Sequence, residues 1–449
     1  MLIEIPDKPK RVINALMASG FEAYAVGGCV RNALMGLTPH DWDICTSAKP
    51  EEMLQVFKEY ETLDFGLKHG TLAVMVEGEL FEVTTYRVDG VYSDNRHPES
   101  VTFTDNLTLD LSRRDFTCNA MAYNGTDGII DPFGGAEDLK NNLLRCVGDP
   151  DRRFHEDALR ILRALRFASA YGFKIEEATS KSVHSCAELL NNVAAERIRD
   201  ELIGILIGKN ALAILSDYRD VFAVFFPELI ETFDFPQRSP HHRHDVWQHI
   251  VHTVAAIDSD PLLRIVMLLH DIGKPRARTT DLNGTDHFKG HQQISAWISE
   301  SILRRLRFPN SFIDNCLLLI LSHDIRFDGS QKQVRRTLQK LGEDNMRRLF
   351  KIQRADIAAQ SEYLRAEKLA GVDRAEEAFE RILSEDQCYQ LKDLAVNGKD
   401  IIGMDLFKGR EIGETLNALL DEVIDGTLKN EKNALLKRAR QYYKEKRSR

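Results

Sequence analysis

Cysteine is scarce and scattered in this chain: seven residues in 449, none forming a Cys-x-x-Cys pair. That argues against a zinc knuckle or a disulfide framework. No apolar run is long enough to span a bilayer, and the opening Met1-Leu2-Ile3-Glu4-Ile5-Pro6-Asp7-Lys8 does not read as a signal peptide. The expectation is a cytoplasmic protein with no membrane partner. Positive charge is not in excess either. A formal net charge of −9 weighs mildly against a nucleic-acid partner, although the distribution matters more than the sum. What is present is ordinary globular material, 43% hydrophobic and 29% charged, enough for about three domains at roughly 150 residues each. One local departure stands at 429–449, where nine Lys or Arg face two Glu. A solvated helix end and a phosphate-contacting surface both fit it.

The residues that carry chemistry begin early. Ala25-Val26-Gly27-Gly28-Cys29-Val30-Arg31 ends a strand-like segment in two glycines and opens a short helix, and a Gly/Pro turn leads on to Asp41-Trp42-Asp43. Side chains two apart on a strand share a face, so Asp41 and Asp43 present their carboxylates together. Paired hard oxygens suit Mg²⁺. Gly27 and Gly28 let backbone N–H groups approach a polyphosphate, and Arg31 adds a fork of donors. Such a set suits two-metal, in-line transfer of a nucleotidyl group to a hydroxyl. A tight turn beside solvated acids would look the same in isolation.

Strand-like runs follow at 70–76 and 80–86, and Glu82 is either a third carboxylate or an outward polar residue. A polar loop at 87–98 holds Asp89, Asp94 and Arg96; it is a substrate-covering segment or a solvated connector. Arg113-Arg114-Asp115-Phe116-Thr117-Cys118-Asn119-Ala120 offers groups suited to a triphosphate and a ribose, or a charged surface turn. The stretch 156–167 reads as one helix with Leu159, Leu162 and Leu165 toward a core. On it Asp157 and Arg160 are three apart and share a face, as an ion pair or as a recognition pair. A carboxylate only accepts and a guanidinium only donates. Together they match the amine and ring nitrogen of cytosine and adenine and oppose guanine and uracil. Arg163 is placed to support the base site or a phosphate.

Taken in order, these motifs resemble the CCA-adding tRNA nucleotidyltransferases, in the class shared by bacteria and eukaryotes within the polymerase-β superfamily. The match runs through Gly27-Gly28-x-x-Arg31 with Asp41-x-Asp43, the loop around Asp89 and Arg96, and Arg114-Asp115-Phe116-Thr117-x-Asn119-Ala120. It continues through Arg153-Phe154-x-Glu156-Asp157-x-x-Arg160 and Glu196-Arg197. The resemblance implies catalytic Asp41 and Asp43 with Mg²⁺, and a nucleotide site of Gly27, Gly28, Arg31, Arg114, Asp115, Asn119, Asp157, Arg160 and Arg163. It assigns Asp157 and Arg160 the templating role, with CTP, ATP and tRNA as partners. Retention of the loop favours addition of the terminal A.

Beyond Pro240 the composition changes, and nine of the fourteen histidines fall between Phe235 and Phe327. Imidazole and carboxylate together suit a divalent metal. The ordered set His249, His270-Asp271 and Asp356 resembles the HD metal-dependent phosphohydrolases, whose four positions imply one metal, a transition metal or Mg²⁺. His291 and His323 are candidates for a second. The implied reaction is hydrolysis of a phosphomonoester or 2′,3′-cyclic phosphate; a metal site without turnover is the alternative. Past Leu364 the chain reads as helices with glycine-marked turns near Gly398 and Gly409, similar to a tRNA-contacting tail.

The expected fold is an α+β head, a small mixed sheet with helices, followed by a largely all-α body containing an HD domain. Boundaries are read as 1–145 for the catalytic head, 146–235 for a templating neck, 236–362 for the HD domain and 363–449 for the tail. The expected function is templateless addition of C, C and A to tRNA. An A-adding enzyme, a bacterial poly(A) polymerase and an RNA-binding protein with a dead transferase site remain open at this point.

Overall fold

The computed structural model describes residues 3–64, 66–90 and 100–447. The chain forms two compact units, Met1–Ile230 with Arg305–Arg307, and Glu231–Arg304 with Phe308–Arg449. Among the described residues no helix is long and apolar enough to cross a membrane.

The first unit begins with a mixed sheet. Its strands are β1 (Ala23–Val26), β2 (Ile44–Thr46), β3 (Thr62–Leu63), β4 (Thr71–Val76) and β5 (Glu79–Thr85). A separate ladder pairs β6 (Arg87–Asp89) with β7 (Val101–Phe103), and β8 (Ala122–Asn124) and β9 (Gly128–Ile130) complete the sheet. The order is β3-β4-β5-β2-β1-β8-β9, with β2 and β5 parallel and the other pairs antiparallel. All four residues of β1 are buried because both faces of the strand are covered. Ala23 and Ala25 join a core with Val12, Leu16, Ile44, Val74 and Phe81. Tyr24 and Val26 point the other way, to Cys45, Tyr86, Leu111 and Ala120. The period-2 alternation of a strand thus supplies two cores, each fully buried Val, Leu, Ile or Phe contributing about 1.5–3 kcal/mol.

Helices follow, from Pro150–Glu156 and Leu159–Tyr171 to Ala195–Leu206 and Arg219–Phe225. The expected single helix over 156–167 is broken. Asp157 lies in extended backbone (φ −138°, ψ 104°) at the end of Pro150–Glu156, and its Oδ1 accepts a hydrogen bond from the Leu159 N–H at 3.1 Å. A short acid that bonds nearby backbone competes with helix continuation, which is what interrupts the run. Leu159, Leu162 and Leu165 are buried as the pattern predicts.

The second unit is helical apart from a small hairpin of Thr279–Thr280 with Asp286–His287. Helices Val246–Ala256, Pro261–Leu269, His291–Arg305 and Asn310–Ser322 precede Gln331–Ala359, which is interrupted at Gly342 (φ 75°). Val334, Leu338 and Phe350 pack with Val372 and Phe379 of Arg365–Ser384. A further core joins Ile401, Leu419, Ile424 and Leu435 across the last helices.

Candidate functional site

In the first unit the residues singled out for nucleotide chemistry come together. Gly27, Gly28, Arg31, Asp43, Arg114, Asp115, Asn119, Asp157, Arg160 and Arg163 line one cleft of about 440 Å³. Arg113, Arg166 and Phe167 complete it. The last two were not assigned from sequence, although spacing carried the signal: Arg160, Arg163 and Arg166 recur every three residues, and Phe167 follows Arg163 by four.

The glycines serve differently. Gly27 has φ 80°, so the backbone demands glycine, and a Cβ there would press on the Arg114 guanidinium, 3.0 Å from Nη1. At Gly28 a Cβ would meet only Arg31 Nη2 at an ordinary 3.7 Å.

Asp41 and Asp43 precede β2 rather than lying within it, on chain already extended enough for the Asp43 carbonyl to accept from Val26 N–H at 2.9 Å. Both are exposed on either side of buried Trp42, and of the two Asp43 lines the cleft. The Asp43 carboxyl is raised above its ordinary value by the protein packed around it. Arg114 opposes the rise, and the charges of Glu82 and Asp41 add to it. Glu82 stands on β5, whose Val83 pairs with Ile44, so three acids crowd one corner. Such crowding suits a divalent cation.

Asp115 is the hub of the cleft wall. Its Oδ2 accepts from Arg163 Nε at 2.9 Å and Nη2 at 2.7 Å, and its Oδ1 accepts from Asn119 Nδ2 at 2.9 Å and Phe116 N–H at 2.8 Å. Burial alone would raise its pKa. The Arg163 charge, the bonds from Asn119 and Arg163, and the Arg160 charge outweigh burial and hold it at about 2. A depressed carboxylate stabilises the fold above its unfolded value of about 3.9, and the contribution is lost as pH falls through the folded value. Asp115→Asn is expected to cost about 2–3 kcal/mol at neutral pH, measured from urea midpoints. The gap to the native chain narrows as pH falls below about 4; a gap independent of pH contradicts the assignment.

Asp157 and Arg160 both reach the cleft but do not pair. Asp157 Oδ2 lies 3.4 Å from Arg197 Nη2, whereas Arg160 binds Glu156 Oε2 at 3.0 Å and the carbonyls of Arg153 and Arg113 at 3.3 and 2.9 Å. Three of Arg160's five donors are thereby used. The ion-pair alternative fails because the helix is interrupted at Asp157 and each side chain is engaged by other partners. Asp89 sits on β6, with Arg87 at 3.2 Å and Arg113 at 3.7 Å. Asp94 and Arg96 lie outside the described residues.

The second unit gathers the other predicted set. His249 Nε2 is 2.9 Å from Asp356 Oδ1 and 3.2 Å from Asp271 Oδ2, and His270 Nε2 is 3.2 Å from the same Asp271 oxygen. Asp271 Oδ1 instead faces His291 Nε2 at 3.2 Å and His323 Nε2 at 3.8 Å. The Nδ1 atoms of His270, His291 and His323 stand 2.7–2.8 Å from the carbonyls of Met267, Phe288 and Ile320. A carbonyl only accepts, so each Nδ1 carries its proton and each Nε2 lone pair turns inward. His291 and His323 then aim two lone pairs at each other across 3.1 Å. The buried Nε2 atoms of His249 and His270 face only the carboxylates of Asp271 and Asp356. The donor set fits a divalent metal, and Lys274 Nζ stands 2.6 Å from Asp271 Oδ2 beside it. The centre opens into a cleft of about 1020 Å³ whose lining includes Arg326 and Lys368, suited to an anion.

Residues 23–145 match the family described as poly A polymerase head domain, 172–232 a probable RNA and SrmB-binding site of polymerase A, and 293–439 tRNA nucleotidyltransferase domain 2. The chain is 33% identical to the CCA-adding enzyme of Enterococcus faecalis, over 97% of its own length and 96% of that protein's. It is 32% identical to the CCA-adding enzyme of Ligilactobacillus salivarius, over 99% and 100%. In structure it is similar to the Bacillus stearothermophilus CCA-adding enzyme in complex with CTP, with a TM-score of 0.68, 29% identity and 98% of each chain covered.

Proposed function

The chain belongs to the CCA-adding enzymes, and from that premise we propose how its first unit completes the 3′ end of tRNA. The observation that carries the reading is the convergence of the glycine turn, Asp43, six arginines and Asp157 on one cleft. The substrates are CTP, ATP and tRNA, and no nucleic-acid template is used.

Nucleotidyl transfer of this family takes a divalent metal ion; Mg²⁺ is assigned here to Asp41 and Asp43, with Glu82 adjoining. Bound there, Mg²⁺ supplies charge neutralisation of the triphosphate and activation of the attacking hydroxyl. The Gly27–Gly28 turn and Arg31 take the triphosphate. Asp157 accepts from the exocyclic amine of cytosine or adenine, and a remaining donor of Arg160 meets the ring nitrogen. Guanine and uracil present the reverse pattern and leave both groups opposed. Arg197 and the Leu159 N–H hold the Asp157 carboxylate in place. The division into head 1–145, neck 146–235, HD domain 236–362 and tail 363–449 fits this plan, with the basic end of the tail supporting tRNA.

Transcripts lacking all or part of the terminal triplet, each incubated with one nucleotide, test the reading. Two additions of C, then one of A, then arrest are expected. An open A tract would indicate a poly(A) polymerase, A added only to tRNA ending in CC an A-adding enzyme, and no extension a dead site.

A second activity is proposed for the other unit, because the facing lone pairs of His291 and His323 call for a metal. His249, His270, Asp271 and Asp356 would hold one ion, and Asp271, His291 and His323 could hold a second. Such ions supply Lewis-acid and water-activating chemistry, suited to phosphomonoester or 2′,3′-cyclic phosphate ends. Elemental analysis is expected to find transferable divalent metal, lost with phosphoesterase activity in Asp271→Ala while CCA addition persists. A metal-free native protein inactive with several added divalent ions would remove this reading.

A further inference from the structure

Arg31 is 6% exposed, yet among the described residues its partners are all neutral. It donates to Asn119 Oδ1 at 2.6 Å, to Asn32 Oδ1 at 2.9–3.1 Å and to the Tyr171 hydroxyl at 3.0 Å. Two rings flank its guanidinium, Phe167 and Tyr171, each with its centroid 4.9 Å away. The rings themselves are stacked at 6.0 Å and 18°.

The neighbouring arginines differ. Arg163 and Arg166 also lie over Phe167, at 5.3 and 4.4 Å, but the first is neutralised by Asp115 and the second by Glu201 at 2.6 Å. Aromatic faces attract a guanidinium without cancelling its charge as a carboxylate would. A buried, uncompensated cation is costly until an anion reaches it. Arg31 is therefore oriented while its charge is kept for a ligand.

The rings occupy positions i and i+4 of helix Leu159–Tyr171, which also carries Arg160 and Arg163 and directly follows Asp157. Arg31 belongs to a different element, helix Gly28–Leu34. A closed circuit ties the two: Arg163 to Asp115, Asp115 to Asn119, Asn119 to Arg31, and Arg31 onto Phe167.

We propose that Phe167 and Tyr171 are positioning residues that hold Arg31 against the triphosphate in fixed register with the base-reading residues of the same helix. The inference rests on Arg31 as a triphosphate ligand. It makes base choice and triphosphate binding depend on one aromatic pair.

Steady-state extension of truncated tRNA by the full chain, with CTP, ATP and UTP, tests it in Tyr171→Phe, Tyr171→Leu, Phe167→Leu and Arg31→Lys. KM for CTP and ATP is expected to rise about tenfold in both Leu variants and about threefold in Tyr171→Phe, with kcat changed less. Acceptance of UTP relative to CTP rises in the same order. That order, at a Tm within a few degrees of native for the half-buried Tyr171 pair, marks ring and hydroxyl rather than bulk. Unchanged KM and UTP rejection in Tyr171→Leu overturns the proposal even if Phe167→Leu fails to fold. If Arg31→Lys alone raises KM, the triphosphate role stands and the aromatic pair is packing. If Arg31→Lys also leaves KM unchanged, the triphosphate role falls and the proposal with it.

Discussion

Asp43→Ala is expected to lower the rate of nucleotidyl transfer by about 10⁴-fold or more, with no loss of thermal stability. Metal-assisted charge neutralisation at a transferring phosphoryl group contributes several kcal/mol, and each 1.36 kcal/mol is about tenfold in rate. Removing an inner acid removes that contribution and leaves only the arginines and the glycine turn to hold the triphosphate. Stability does not follow activity down, because the Asp43 carboxyl is held above its ordinary value by the protein packed around it, with Glu82 and Asp41 adding repulsion. Single-turnover addition of labelled C and a thermal melt read the two effects. Activity within about tenfold of native would place the metal elsewhere.

The second large effect is on choice rather than speed. Asp157→Ala is expected to lower the preference for CTP over UTP by roughly 10–150-fold, the value of a hydrogen bond to a charged group at about 1.5–3 kcal/mol. The carboxylate is the acceptor that uracil, with its carbonyl at the corresponding position, cannot satisfy. Its loss removes the penalty on the wrong base together with the reward for the right one. Asp157 also accepts the Leu159 N–H at the head of the next helix, so a cap-sized cost of about 1 kcal/mol in stability accompanies the change. Asp157→Asn separates the two. It keeps an acceptor for that N–H but adds a donor toward the base, and is expected to remain folded while taking UTP. Ratios of kcat/KM for the four nucleotides measure this, and a variant that still takes only C and A would end the templating assignment.

Much of the cleft was legible in the sequence because its signals are local. The Gly27–Gly28 turn, the alternation around Trp42 and the cluster from Arg114 to Asn119 each declare themselves within a few residues. The histidine concentration did the same for the second unit, where His270 and His323 close their helices. The contacts that set the geometry were not local. Tyr171 reaches Arg31 across 140 positions, and Arg163 reaches Asp115 across 48. No periodicity reports such pairs. The break at Asp157 was hidden for a related reason: the leucine spacing continues through it, and only the side-chain bond to Leu159 N–H reveals that the helix restarts. Buried Asp110, which accepts from Arg87 N–H at 3.2 Å and from Arg113 at 2.9–3.0 Å, likewise looked like any polar residue of a short helix. The functional stripe Arg160, Arg163, Phe167, Tyr171 was readable in spacing, but spacing gave no reason to prefer a cation cage over a core.

Without a nucleic-acid template, this chain is expected to add C and then A to the tRNA end and stop. Extension of a tRNA lacking its terminal triplet, with all four nucleotides at equal concentration and Mg²⁺ present, followed by sequencing of the 3′ ends, tests it most directly. Ends reading CCA and nothing further are predicted. Frequent U or G at any of the positions, or an A tract running past the third, would contradict it.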